Sequence, residues 1–459
     1  MIHVSKKKLL LVAGDGLLLS IAYFLSPVIR FGVFVFMPLN DLREWLPFVM
    51  MYLLAFYICD TYDTGLDFSK PKYLLRFFFS SLFGAAAVIV VTFFVSGLTS
   101  DRALFVIAAC LSFALTYSWR LLFKVLFARV LRQRHRLLII GAGQSGKSLY
   151  RIVKNDATYQ VIGFLDDDPG KLGIVNSPAV LGTCALLNKM VQNREVDEIA
   201  IAITDPKVIQ NRQLLRSVVQ SKVGGVPVHL MPSLYEEKTG RIPVKHISDS
   251  WFLSAPITGV SKGMYNKKIK RLLDVALSLI GLLCFIIPVL VAVAVAVKVD
   301  SPGPVFYRQR RVGRNGRLFT LWKFRSMKVG TENDRRLAGR KDDPRITRSG
   351  KVLRLFRIDE FPQLWNVLRG DMSMVGPRAL IEGEVSGFES KIPYFSIRHC
   401  VRPGITGWAQ VNYHHGVTEE DALEKLEYDL FYIKNLSALL DVHILLRTVR
   451  VVLFGRGAR

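Results

Sequence analysis

Four apolar stretches crowd the first third of this chain, and they restrict its fold more than any other feature. They run from about Leu9 to Met37, Trp45 to Cys59, Tyr73 to Leu98 and Ala103 to Val130. A helix needs about 20 apolar residues to cross a bilayer core, so the second stretch is marginal and the others are ample. Cations alternate between the connecting segments. Lys6, Lys7 and Lys8 precede the first stretch, Lys70, Lys72 and Arg76 separate the second from the third, and Arg129, Arg132, Arg134 and Arg136 follow the fourth. The other two connections hold only Arg43 and Arg102. Cytoplasmic loops are enriched in Lys and Arg, so the pattern predicts four spans with both ends on the basic side. Four buried helices of a soluble bundle do not account for the alternation.

The whole chain carries 62 Lys and Arg against 37 Asp and Glu, a net charge of +25, together with 51% hydrophobic residues. Apolarity combined with positive charge points to a membrane protein with a basic cytosolic face. No basic stripe with interleaved aromatics and no helix-turn-helix signature is present, so nucleic acid is not an expected partner. The cysteines, Cys59, Cys110, Cys184, Cys284 and Cys400, show no C-x-x-C spacing, which argues against zinc and against a disulfide framework. The apolar N-terminal segment lacks a small-residue cleavage site and reads as a retained anchor.

A different pattern begins at Arg136. A short Leu/Ile run meets Gly141-x-Gly143-x-x-Gly146 and opens into a helical pattern. Such a turn in a strand-to-helix context predicts a Rossmann-like α/β unit, from about 137 to 255. Further strands are expected at VIGFL before Asp166, Asp167 and Asp168, at Asp197–Ile203 and at Val226–Met231. The glycines are candidates for binding a dinucleotide, although many such folds carry no ligand.

From Asn266 to Asp300 a further apolar segment appears, after a linker around Pro256–Tyr265. Pro288 interrupts it and removes a helix hydrogen bond. Both flanks are basic, with Lys267, Lys268, Lys270 and Arg271 before and Lys298, Arg308, Arg310, Arg311 and Arg314 after. Two readings are open: a helix broken at Pro288 that dips into the membrane and returns, or an ordinary fifth span.

Ser301 to Arg459 carries the chemistry. Asn315-Gly316 between strand-like runs predicts a hairpin that gathers arginines with Lys323 and Arg325. Asp359-Glu360 then lies among Arg354, Arg357 and Arg378. Adjacent carboxylates repel, so cations around them suggest a use: one acid to attack phosphorus, the other to hold a divalent metal, and arginines to bind phosphate. A solvated acid pair at a helix start is the competing reading. The C-terminal segment from Ser437 alternates apolar and cationic residues, which suits either a helix in the headgroup plane or a terminal helix packed on the core.

These residues resemble the bacterial polyprenyl-phosphate sugar phosphotransferases, the large monotopic phosphoglycosyl transferases. The motifs are KRLLDVALS at Lys270–Ser278, SPGPVFYRQRRVG at Ser301–Gly313, WKFRSM at Trp322–Met327, RIDEFPQLWNVLRGDMSMVGPR at Arg357–Arg378 and RPGITGWAQVNY at Arg402–Tyr413. The tail EDALEKLEYDLFYIKN is similar to the exopolysaccharide branch. The resemblance implies a four-helix transmembrane domain (1–135), a Rossmann-like α/β domain (136–260) and a mixed α/β monotopic catalytic domain with a re-entrant helix (261–459).

It further implies transfer of a sugar-1-phosphate from a UDP-sugar to undecaprenyl phosphate with release of UMP, as the first membrane step of exopolysaccharide or O-antigen assembly. Asp359 would form a phosphosugar-aspartyl intermediate and Glu360 would bind Mg²⁺. Arg354, Lys323, Arg325 and Arg378 would bind substrate phosphates, and Pro288 would break the membrane helix. The implied setting is the bacterial inner membrane, multi-pass, with the central and catalytic regions cytoplasmic and a homodimer built through the central domain. Two positions depart from the family pattern: Ala379 replaces the proline after Arg378, and Ile287 replaces the serine before Pro288. No motif distinguishes glucose, galactose and N-acetylated sugars.

Two rival classes are a membrane-anchored nucleotide-sugar dehydratase, with Tyr150 and Lys154 as its Tyr-x-x-x-Lys pair, and a non-catalytic scaffold or sensor of polysaccharide assembly. His414-His415 and His399-Cys400 read as surface or interface residues, since neighbours on a strand point to opposite faces, and Asp60, Asp63 and Asp67 after the second apolar stretch read as a solvated membrane-surface loop rather than a cation site.

Overall fold

The structure is a computed structural model. It describes residues 6–32, 42–62, 68–96, 102–132, 134–156, 158–168, 170, 179–203, 212–254, 268–283, 287–330, 343–413, 416 and 418–454. The linker at 256–265, Asp63, Asp67, Lys267, His414 and His415 lie outside them. Contacts divide the chain into two compact units, residues 2–134 and 135–459.

The first unit contains α1 (Lys6–Phe31), α2 (Leu42–Ile58), α3 (Pro71–Ser96) and α4 (Arg102–Arg132). Three helices are long and apolar enough to cross a membrane, at Lys8–Phe31, Pro71–Thr92 and Ala103–Leu126, while the apolar part of α2, Glu44–Ile58, is shorter. α1 packs along α4, and α2 along α3. A Cβ on Gly14 would fall 2.4 Å from the Trp119 indole, so the glycine permits the close α1–α4 approach. The acid that interrupts the first apolar stretch has a partner 105 residues away. Asp15 takes two hydrogen bonds from Arg120, at 2.6 and 2.9 Å, with both side chains fully buried. Arg120 also donates to the Tyr73 hydroxyl at 2.8 Å and lies 4.2 Å over the Phe77 ring.

The second unit begins with a five-stranded parallel sheet: β1 (His135–Ile140), β2 (Tyr159–Leu165), β3 (Val180–Gly182), β4 (Glu198–Ile201) and β5 (Val228–Leu230). The order is β3-β2-β1-β4-β5. This is the doubly wound arrangement expected from the glycine turn. Central β1 buries Leu137 to Ile140 completely, as a strand covered on both faces must. Short β3 was not among the expected strands.

After residue 267, helices Lys270–Gly281 and Ile287–Asp300 flank 284–286, which lie outside the described residues. The backbone of Pro288 falls in the first turn of the second helix, where a missing N–H removes no helical bond. That helix is apolar on every side. Val293 and Val297 pack inward on Phe324 and Leu353, while Val291, Val295 and Val299 are exposed.

The expected hairpin forms as antiparallel β6 (Phe306–Val312) and β7 (Leu318–Phe324), turning at Arg314–Gly316. A small parallel pair, β8 (Ser373–Val375) and β9 (Gly404–Thr406), lies beyond. The terminal helix Ala438–Phe454 buries Leu440 and Ile444 and exposes Leu439, Val442 and Val449, so it packs on the core and keeps an apolar outer face. The α/β region docks on the C-terminal region through Lys434–Glu236 (2.5 Å), Arg241–Glu424 (3.2 Å) and a Trp408 indole bond to the Gly240 carbonyl (2.8 Å).

Candidate active site

The acid pair occupies a 3-10 turn, Ile358–Glu360, between helices Arg348–Leu355 and Gln363–Arg369. Arg357 precedes the turn with φ of 57°, a left-handed conformation that is costly for a side-chain-bearing residue. This reversal puts the Arg357 guanidinium back over the turn, 3.6 Å from Glu360. Lys323 reaches the same carboxylate from β7 at 3.4 Å, and Arg378 does so at 3.8 Å from the segment after β8. All three pairs end on Glu360 Oε1.

Placement of Lys323 depends on Asn366. Its side-chain amide donates to the Thr320 carbonyl at 2.7 Å and accepts from the Trp322 amide at 3.1 Å, tying β7 to the helix that follows the acid pair. Arg378 is held on both sides. Its backbone bridges Gly404, and its carbonyl accepts from Arg398 at 3.1 Å. Ala379, in the position of the family's proline, is buried against Leu321, Val367 and Met372, and its carbonyl accepts from Arg311 at 3.1 Å. Burial of the small side chain anchors this turn without the proline ring.

The two acids differ in their surroundings. Burial opposes ionisation of Glu360, but Lys323, Arg378 and Arg357 outweigh it and hold the carboxyl at about 2. Asp359 is 8% exposed, and no hydrogen bond or ion pair among the described residues ends on it. Burial pushes its carboxyl above the ordinary value, reinforced by the Glu360 charge and opposed by Lys323, Arg354 and Arg357. Arg354, in the last turn of its helix, is oriented by a 3.0 Å bond from Nε to Ser326 Oγ. Its own ionisation is depressed by burial, and Asp359 works against that shift. Burial lowers Arg311 to about 10, with the Arg378 charge adding to the effect. Lys323 is lowered by burial too, against the pull of Glu360. Four cations, Lys323, Arg354, Arg357 and Arg378, therefore surround two acids, with Arg311 beside Arg378, an arrangement suited to a polyanion.

Arg325 has a different task from the phosphate contact expected of it. Its guanidinium donates to the carbonyls of Pro302 (2.5 Å), Ser301 (2.6 Å) and Val297 (3.3 Å), and the residue is 3% exposed. It closes the C-terminus of the Ile287–Asp300 helix, and its guanidinium is spent on those carbonyls rather than joining Lys323 at the acids. Arg357 and Arg311, which the sequence reading assigned no separate role, belong to the cationic ring. The three-residue spacing of Arg357 from Glu360 was the available signal.

Beside the acid pair is an apolar cavity of about 230 Å³, lined by Leu282, Leu290, Phe306, Trp322, Pro362 and Trp365. Exposed Leu355, Phe356 and Trp365 bracket the acids in sequence. Gly141 and Gly143 line a separate pocket in the α/β region, and Gly146 is buried in the helix that follows them. Tyr150 packs edge-on against Phe164 there, with 6.1 Å between rings, and neither it nor Lys154 lines that pocket.

The bacterial sugar transferase family matches residues 265–455, and the CoA-binding domain family matches residues 57–232. A UDP-glucose:undecaprenyl-phosphate glucose-1-phosphate transferase of Klebsiella pneumoniae is 32% identical over 444 residues, 92% of each chain. A UDP-N-acetylgalactosamine-undecaprenyl-phosphate N-acetylgalactosaminephosphotransferase of Aeromonas hydrophila is 40% identical over 247 residues, 53% of this chain and 56% of that one. Against this second relative the chain thus spans only about half of the length. The exopolysaccharide production protein PSS of Rhizobium leguminosarum bv. phaseoli is 42% identical over 187 residues, 39% of this chain and 93% of that one.

Proposed function

The chain belongs to the bacterial sugar transferase family, and from that premise we propose that it transfers a sugar-1-phosphate from a UDP-sugar to undecaprenyl phosphate and releases UMP. The observation that carries the residue assignment is the division of labour between the two acids. Glu360 is neutralised by three cations, whereas Asp359 is buried and uncommitted. A carboxylate without strong partners keeps its electron pair for attack.

In the first half-reaction an Asp359 oxygen bonds to the sugar-bearing phosphorus, and the diphosphate P–O bond breaks with its electrons leaving on UMP. In the second, a phosphate oxygen of the carrier bonds to the same phosphorus. The aspartyl P–O bond breaks, and the carboxylate is regenerated. Lys323, Arg354 and Arg378 bind the phosphate oxygens as charge develops on them, each worth on the order of 10²-fold in rate.

Mg²⁺ fits the donor set. The ion takes oxygen ligands, usually one or two carboxylates with phosphates completing the shell. Among the described residues no cluster of three or more acidic, His or Cys side chains exists, so substrate oxygens would have to complete the shell. Glu360 is the residue that would hold it, and the bound ion would neutralise the diphosphate.

Membrane placement belongs to the same reading. The chain has four inner-membrane spans with the α/β and catalytic regions cytoplasmic, and the interrupted helix of the catalytic region sets the acids at the headgroup boundary. The interrupted helix dips into the bilayer through its exposed valines, and the 230 Å³ apolar cavity takes the first isoprene units of the carrier. A homodimer through the central region completes it and is tested by mass photometry in nanodiscs. The deciding experiment incubates the purified protein with Mg²⁺, undecaprenyl phosphate and a panel of UDP-sugars and measures UMP. Asp359→Asn should release none, and mass spectrometry of trapped wild type should find the phosphosugar on Asp359. Normal UMP release by that variant would overturn the assignment.

A further inference from the structure

The α/β region contains a pocket of about 970 Å³ that the transfer chemistry does not use. Gly141, Gly143, Asp166, Asp167, Lys245 and His246 are among the residues that line it. Its three glycines have separable reasons. Gly141 has φ of +104°, which L side chains rarely adopt. A Cβ on Gly146 would fall 1.9 Å from the Gly141 carbonyl oxygen, so close packing of loop and helix requires glycine there. Gly143 has neither reason. Its backbone is extended (φ −71°, ψ −168°), and a Cβ at this position would meet nothing within 4 Å. The fold leaves room for a Cβ at 143, and Gly143 lines the pocket. In a strand–turn–helix of this kind the middle glycine lets a diphosphate approach the backbone.

The walls narrow the ligand further. No side chain caps the helix Gln144–Val153 at Gly143, so its first amides face the pocket as donors, with Lys245 as the nearby cation. The Ala142 amide is already taken by Asp166 Oδ2 at 2.7 Å, which confines phosphate to the helix side of the loop. His246 contributes no charge. Burial and the neighbouring Lys245 lower its ionisation, and its ring nitrogens lie 3.0 and 3.2 Å from the hydroxyls of Ser145 and Ser148. At the end of β2, Asp166, Asp167 and Asp168 form an acidic wall. Carboxylates there accept hydrogen bonds from ribose hydroxyls and repel a ribose phosphate.

We propose that this pocket binds a nucleoside diphosphate whose ribose hydroxyls are unphosphorylated, either a dinucleotide such as NAD(H) or a uridine diphosphate. Coenzyme A and NADP(H), with a phosphate on the ribose, are excluded by the acidic wall, although the matching family is described as CoA-binding.

The test uses full-length Asp359→Asn protein in nanodiscs, with and without Gly143→Val. NAD⁺, NADH, UDP, UDP-glucose, NADP⁺ and coenzyme A are titrated by calorimetry and thermal shift. One or more of the first four should bind with Kd below about 1 mM, and the ribose-phosphorylated pair at least about tenfold more weakly, since like charges in contact cost several kcal/mol. The valine should weaken that binding by about tenfold or more with the ligand-free melting temperature unchanged. If the valine variant does not fold, hydrogen exchange of the Gly143 protein decides, with ligand protection expected at 141–148 and 244–246. NAD(H) binding alone identifies a dinucleotide site, and a second uridine nucleotide site lost with the valine identifies a donor-type ligand. Binding of neither class, unchanged binding in the valine variant, or coenzyme A binding as tightly as the others would overturn the proposal. Catalytic UMP release by Gly143→Val in an Asp359 background is read separately, so failure here leaves the transfer reaction standing.

Discussion

Asp359 and Glu360 are adjacent in one 3-10 turn, yet their carboxyls are driven in opposite directions. Lys323, Arg357 and Arg378 converge on Glu360 and hold it at about 2, while Asp359, buried beside that fixed charge, is pushed above the ordinary carboxyl value. Separation of paired acids by environment is how one site assigns two roles.

The pH dependence of UMP release follows. Attack requires ionised Asp359, so single-turnover release should fall as pH drops, with its acid limb above the ordinary Asp value of 3.8. Lys323 is the largest force lowering Asp359. Lys323→Met should therefore move the acid limb to higher pH, as well as slow release by about 10²-fold. An unmoved limb contradicts the electrostatic account.

Thermal stability should separate the two acids by sign. Asp359 has a raised folded value, so its protonated form is favoured in the native state, and stability is lost as pH rises through that value. At pH 7, Asp359→Asn should melt at or above the wild-type temperature while being inactive. Glu360 has a depressed value, so its contribution is full above its unfolded value of 4.5 and is lost as pH falls toward about 2. Glu360→Gln at pH 7 leaves three cations facing one another and should destabilise by about 3 kcal/mol. Differential scanning fluorimetry of both variants from pH 3 to about 8 checks the pair.

Arg325→Met should behave as a structural lesion. Three carbonyls at the end of the Ile287–Asp300 helix lose their donor. Stability should fall by roughly 2–3 kcal/mol, while KM for the nucleotide sugar in the folded fraction stays within about twofold. Arg354→Met should do the reverse: retained melting temperature and a UMP release rate lowered by about 10²-fold.

In the helical bundle, Arg120→Met strands the fully buried Asp15 and should cost about 3–5 kcal/mol. The double variant Asp15→Leu with Arg120→Met removes both charges and should recover much of that loss. A detergent-resistance melt of the single and double variants measures the coupling.

Much of the site was legible in the chain because its chemistry is local. Asp359-Glu360 are neighbours, Arg354 and Arg357 lie within six residues, and the glycine turn needs only a strand before it and a helix after. The apolar stretches and the hairpin at Asn315-Gly316 were legible for the same reason: hydropathy and turn geometry act over short spans. Arg325 was misassigned because Lys323 and Arg325 look alike in sequence, and only the packing of β7 against the preceding helix separates them. The role of Asp15 inside the first apolar stretch was not legible, because its partner Arg120 is 105 residues away.

The sequence by itself determined which segments are apolar enough to enter a membrane, where a parallel α/β unit must begin, and that two adjacent acids lie among arginines, since these depend on composition and neighbours along the chain. Tertiary structure decided the rest. It brought Lys323 and Arg378 to Glu360, left Asp359 uncommitted, turned Arg325 to helix carbonyls and opened the space beside Gly143. Charge–charge interaction and burial depend on distance in space, and a folded chain sets those distances through contacts among residues far apart in sequence.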